Sequence, residues 1–151
     1  RTQRGACLGA ADPDEVTEMP TSVEDARRIA LALSGATEKV SWGSLHWRVR
    51  DKGFAWERPL RQGDLAALGD DAPTGEILGV RVADLEEKEA LVAAEPEVFF
   101  TIPHFDGFPA VLIRLAAIEV AELTEVITDA WLDRAPKTLR ETFLRERGEP
   151  D

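Results

Sequence analysis

Arg48, Arg50, Lys52, Arg58 and Arg61 fall within fourteen consecutive residues, interleaved with Trp47, Phe54 and Trp56. Guanidinium and ammonium groups neutralise phosphates, and aromatic rings stack on unpaired bases. Residue types in this mixture therefore suit a surface that reads a nucleic-acid backbone. An acidic protein partner satisfies the same charge logic. A solvated strand face, backed by a core face that holds the tryptophans, is the plain structural alternative. His46, Trp56, Arg58 and His104 make a second set, which would line a small-molecule pocket or an acid–base site if they converged. His46 and His104 could join Asp106 at a metal, but zinc requires three or four ligands and the two histidines fall in separate hairpins. No metal and no cofactor are expected. Ser41 and Thr101 lack a nucleophile elbow, Cys7 has no histidine near it in sequence, and the scattered glycines form no phosphate-binding pattern. The pairs Asp70-Asp71 and Glu86-Glu87 lack calcium-loop spacing. The residues favour binding over catalysis.

The charge background sharpens the first set. The chain carries a formal net charge of −11 over 151 residues. Residues 37–61 hold six basic and three acidic groups, whereas residues 62–97 hold two basic and ten acidic. A basic strip in an acidic chain acts at short range, within about 10 Å at ordinary ionic strength. One cysteine rules out an internal disulfide and fits a reducing compartment, so a cytoplasmic protein is expected. No run approaches the roughly 18 apolar residues of a membrane span. Oligomeric state is not legible.

The elements that must position these residues follow from period and punctuation. Residues 1–20 lack sustained periodicity and read as a flexible N-terminal tail that need not be native. Residues 21–147 read as one domain. Thr21-Ser22-Val23-Glu24 has the form of a capping box, ahead of Val23, Ala26, Ile29, Ala30 and Leu33 at helical spacing. A short strand is expected around Lys39–Trp42. His46–Arg50 alternates, with His46, Arg48 and Arg50 on one face and Trp47 and Val49 on the other. Asp51-Lys52-Gly53 reads as a turn, and Phe54–Arg58 as the returning strand. A short helix near Asp64–Leu68, a strand over Ile77–Val82 and a helix capped by Asp84 come next. Val98–Ile102 and Ala110–Leu115 read as strands joined around Asp106-Gly107. Two helices close the chain, one striped by Leu123, Val126, Ile127, Ala130 and Trp131, the other opened by Pro136. This order predicts a two-layer α+β fold, its sheet largely antiparallel with helices packed on one face.

Val40-Ser41-Trp42-Gly43, His46-Trp47-Arg48-Val49 and Phe54-Ala55-Trp56-Glu57 resemble the first sheet segment of the MmcQ/YjbR family. Phe99-Phe100, Pro103-His104-Phe105-Asp106-Gly107-Phe108-Pro109, Ala130-Trp131 and Ala135-Pro136-Lys137 are similar to that family's second half. The resemblance runs from about Met19 to Phe143. It implies a compact fold of helices and strands, a double-wing arrangement associated with DNA binding, and no established enzymatic activity. A DNA binder would be expected to be basic overall, and this chain is acidic. The combined expectation is a binding domain whose first hairpin meets DNA by phosphate contact, or docks an acidic protein.

Overall fold

The computed structural model describes residues 21–41, 43–69 and 76–146. The expected tail, residues 1–20, and Trp42 lie outside them. Helix α1 (Val23–Leu31) leads into strands β1 (Ala36–Ser41), β2 (Ser44–Val49) and β3 (Lys52–Glu57). Helix α2 (Gln62–Leu68), strand β4 (Ile77–Arg81) and helix α3 (Leu85–Ala94) follow. Strand β5 (Phe99–Phe100), a 3₁₀ turn at Pro103–Phe105, strand β6 (Ala110–Arg114), a 3₁₀ turn at Leu115–Ala117, and helices α4 (Val120–Arg134) and α5 (Lys137–Glu146) complete the chain. The six strands form one sheet in the order β1-β2-β3-β4-β6-β5, and every neighbouring pair is antiparallel. The fold is α+β, as the alternation of periods predicts.

One face of the sheet carries the main core. Trp47, Val49, Phe54, Ala55, Leu78, Val80, Phe99, Val111 and Ile113 pack there against Ala26, Ile29 and Ala30 of α1 and Leu123, Ile127, Ala130 and Trp131 of α4. The indole of Trp131 donates to the Ser34 carbonyl at 3.0 Å and meets the Phe143 ring of α5 at 5.2 Å. The opposite face is not bare. Ile77, Phe100, Ile102, Phe105, Ala110 and Leu112 form a second apolar cluster there, with Trp56, Leu60 and Leu68 against it. A 3₁₀ turn and the short α2, rather than a long helix, cover that cluster.

Several boundaries move from their sequence-based positions, each for a local reason. Ser22, not Thr21, is the N-cap of α1, and its N–H donates to the Asp25 carboxylate. The Thr21 hydroxyl instead donates to the Ile118 carbonyl at 2.6 Å, tying the helix start to the α4 approach. The β2–β3 turn is Arg50-Asp51, with φ of 51° and 67°, and Lys52 and Gly53 are already in β3. A two-residue hairpin turn of this hand needs positive φ at both central residues, which explains the one-residue offset. In β3, Phe54 is an extra residue between the Trp47–Ala55 and Arg48–Gly53 pairs, and this bulge lets Phe54 and Ala55 both be buried. Strands β5 and β6 do pair, but residues 101–109 connect them through the 3₁₀ turn, so Asp106-Gly107 is not a two-residue hairpin turn. Asp84 accepts from the Glu87 N–H at 2.9 Å, capping α3 as expected.

Trp131 is fully buried at the meeting of α4, α5 and the α1–β1 connection. Truncating it leaves a cavity and an unpaired Ser34 carbonyl. Trp131→Ala is expected to lower stability by about 3–5 kcal/mol, read as a lower urea midpoint with an unchanged denaturant slope.

Candidate nucleic-acid interface

The antiparallel register assigns each side chain of the β1–β3 meander to a face. Glu38 opposes Trp47 on the helix side, and Lys39 opposes His46 on the other. His46 in turn opposes Trp56 of β3. Lys39, His46, Arg48 and Trp56 therefore share the face opposite α1 and α4, with Arg50 and Lys52 exposed at the hairpin end. Arg48 keeps a quarter of its side chain exposed and pairs with the fully solvated Asp51 at 3.4 Å. A surface pair of that kind holds little energy and leaves the guanidinium able to exchange partners.

Arg58 does not belong to this strip. It is 7% exposed, its guanidinium lies 3.1 Å from an Asp64 oxygen, and it donates to the Pro59 carbonyl at 2.6 Å. A guanidinium taken out of water needs a counter-ion and hydrogen-bond acceptors, and Asp64 in the first turn of α2 provides the ion. The same Asp64 oxygen accepts the Arg61 N–H at 2.9 Å, so one carboxylate caps α2 and neutralises Arg58. Arg61 is exposed, but it precedes α2 rather than lying on the hairpin. Lys39 is the cation that the sequence reading omitted. The hairpin register, once β1 is extended back to Ala36, would have found it.

The second candidate set is linked by ring contacts. His46 and Trp56 have near-parallel planes, 11° apart, with centroids at 6.4 Å. Trp56 and Phe105 meet in a T-shaped contact at 6.3 Å, and Phe105 meets His104 at 5.6 Å. The Arg58 guanidinium sits 5.6 Å from the Phe105 centroid. The contacts thus run from His46 through Trp56 and Phe105 to His104, with Phe105 as the junction that sequence reasoning passed over. Lys88 of α3 fixes this junction: its buried ammonium donates to the Phe105 and Phe108 carbonyls at 2.6 and 2.9 Å. Burial lowers the Lys88 pKa, against the opposing pull of Asp106. Among the described residues no group of three His, Cys, Asp or Glu side chains is placed to hold a metal ion. A cleft of about 320 Å³ beside α3 and α4 is lined by Arg81, Glu87, Leu91, Asp129 and Asp133, and none of the four candidate pocket residues reaches it.

Burial lowers the His46 pKa, with Arg48 and Lys39 pushing the same way and Glu57 opposing them. The imidazole is therefore favoured in its neutral form in the folded chain. No helix among the described residues is long and apolar enough to cross a membrane.

A six-stranded antiparallel sheet with this helix arrangement is a known architecture. It aligns with the crystal structure of Deinococcus radiodurans protein DR2400, a DUF419 domain, at a TM-score of 0.59 and 20% identity, covering 87% of this chain and 91% of that one. That likeness establishes the fold alone. The YjbR family model matches residues 31–132, and the chain belongs to that family. It is also 58% identical over 105 residues to uncharacterized protein Rv2570 of Mycobacterium tuberculosis and to uncharacterized protein Mb2600 of Mycobacterium bovis, a match covering 68% of this chain and 81% of each relative.

Asp64→Ala strands the Arg58 charge in the interior. It is expected to cost about 3–5 kcal/mol, measured by chemical denaturation, and the double variant Asp64→Ala/Arg58→Met is expected to recover part of the loss. The His46 shift gives a pH dependence of known sign. With its folded pKa below the unfolded value of about 6.5, the unfolded chain takes up the proton first as pH falls. The His46 contribution to stability is thus present above that value and lost as pH falls toward the folded pKa. His46→Gln should flatten this part of a stability–pH profile measured by urea denaturation.

Proposed function

We propose that the β1–β3 meander is a binding surface for a polyanion, with DNA as the ligand, held through Lys39, Arg48, Arg50 and Lys52. The observation that carries this reading is the pair Lys39 and Arg48 on one face of the meander, with Arg50 in the adjoining turn and Lys52 exposed beside it across from Val49, in a chain of net charge −11. Their placement is the more telling because acidic α3 lies at the far end of the sheet, against β5 and β6. Charge is therefore separated across the molecule, and an approaching polyanion is turned toward the meander. Arg50 adds a second support. It holds φ at 51° in a turn position where Asn or Gly would be less strained, by roughly 1 kcal/mol. An arginine kept there exchanges local stability for a charge at the tip.

Recognition of this kind is phosphate-based, so it is weak and salt-sensitive, and it needs no catalytic group. Arg58 has no part in it, since its charge is already spent on Asp64. An acidic protein segment would meet the same cations, and it becomes the better reading if a stoichiometric acidic partner binds and duplex does not.

Titrating a labelled DNA duplex with the full chain by fluorescence anisotropy tests the proposal. Affinity is expected to fall steeply between low and near-physiological salt. The variant Arg48→Glu/Arg50→Glu should bind at least about tenfold more weakly at low salt and reduce the salt slope by about two. Equal affinity of the variant would remove the hairpin from the interface, and no duplex binding at low salt would discard duplex DNA.

A further inference from the structure

Phosphate contact explains the cations but not the aromatic pair among them. His46 and Trp56 stand directly opposite one another on β2 and β3, on the face opposite α1 and α4. The Trp56 indole lies across Gly79 of β4: a Cβ at that position would come within 2.5 Å of the indole nitrogen. Glycine at 79 is what allows the ring to lie against the sheet. Trp47 and Trp131 are fully buried, so this fold can enclose tryptophan completely, yet Trp56 and His46 keep part of their surface in water. Lys39 opposes His46 across one strand boundary, and Arg48 follows it on the same face of β2. The arrangement is a small aromatic platform edged by two cations.

In a duplex the faces of each base are covered by the neighbouring base pairs. An unpaired base offers a free face, and stacking on a protein ring is tolerant of sequence. We infer that the β1–β3 face takes single-stranded nucleic acid in preference to duplex, with a base stacked on the Trp56–His46 pair and the adjoining phosphates on Lys39 and Arg48. The inference rests on the polyanion reading of the same face. Burial keeps His46 neutral more readily than a free histidine, so it meets a base as a ring rather than as a charge. Phe105 supports the platform from the side but is itself buried and is not a stacking surface.

The test compares a labelled 15-nucleotide oligothymidylate, a duplex of equal length and inorganic polyphosphate, each titrated against the full chain at one low salt concentration. Single strand is expected to bind at least about tenfold more tightly than duplex. Trp56→Leu and His46→Ala should each weaken single-strand binding by about fivefold or more while leaving its salt slope unchanged, whereas Lys39→Glu should lower that slope. Thermal melts establish that each variant is folded, and His46→Ala, on a partly exposed strand position, keeps the test open if Trp56→Leu is not. Duplex binding as tight as single strand, or polyphosphate binding equal to oligothymidylate with no effect of either aromatic substitution, overturns the stacking inference and leaves the polyanion reading standing. Failure of all three ligands overturns both.

Discussion

Strand β4 is buried on both of its faces, and the rest of the molecule is arranged around that burial. Leu78 and Val80 point into the helix-side core, while Ile77 belongs to the second cluster on the opposite side. A strand enclosed on both faces has no wet side to orient it, so its position depends on hydrogen bonds to β3 and β6 and on matching apolar surface above and below. Its neighbours provide both. β6 continues the two-sided burial with Val111 and Ile113 on one face and Ala110 and Leu112 on the other. The β1–β2 hairpin can therefore extend the sheet beyond β3, because the sheet is anchored elsewhere.

The second cluster links that anchor to the candidate interface. Gly79 leaves room for the Trp56 indole, and Phe105 packs against that ring in a T-shaped contact. Phe105 is itself held from α3 by Lys88, whose ammonium is a second donor to two loop carbonyls that already accept backbone N–H groups, and which in turn satisfy the buried ammonium. Asp64 performs a comparable task beneath Arg58. In each case a buried ion is held by internal partners. It fixes a segment outside the sheet and the long helices, the 3₁₀ loop in one and the entry to α2 in the other.

The fold was largely readable because most of its elements keep a clean period. The alternation of Trp47 and Val49 against His46 and Arg48 gives the correct faces for β2, and the stripe of α4 matches its buried residues. What escaped depends on partners distant in sequence. Nothing local distinguishes Thr21 from Ser22 as a cap, since the choice follows from the Ile118 carbonyl, 97 positions away. The burial of Arg58 follows from α2 folding back toward the 3₁₀ turn, and a helix of seven residues is too short for its period to give warning of that. The burial of Lys88 likewise follows from the Phe105 and Phe108 carbonyls, 17 and 20 positions away. The hairpin cations were visible as a group, but their membership was not: register added Lys39, and packing removed Arg58.

The outer edge of β1 is free of strand partners among the described residues. Facing residues across an antiparallel pair lie on the same side of the sheet, so Glu38 can oppose only Ala36, Glu38 or Val40 of a second copy, and Lys39 only Thr37, Lys39 or Ser41. The two self-pairings with the longest overlap consequently set Glu38 against Glu38 or Lys39 against Lys39. Like charges placed directly opposite are destabilising, and a charged edge is a familiar guard against sheet extension. The alternation that turns Lys39 toward the open face thus also makes this edge a poor template for its own copy.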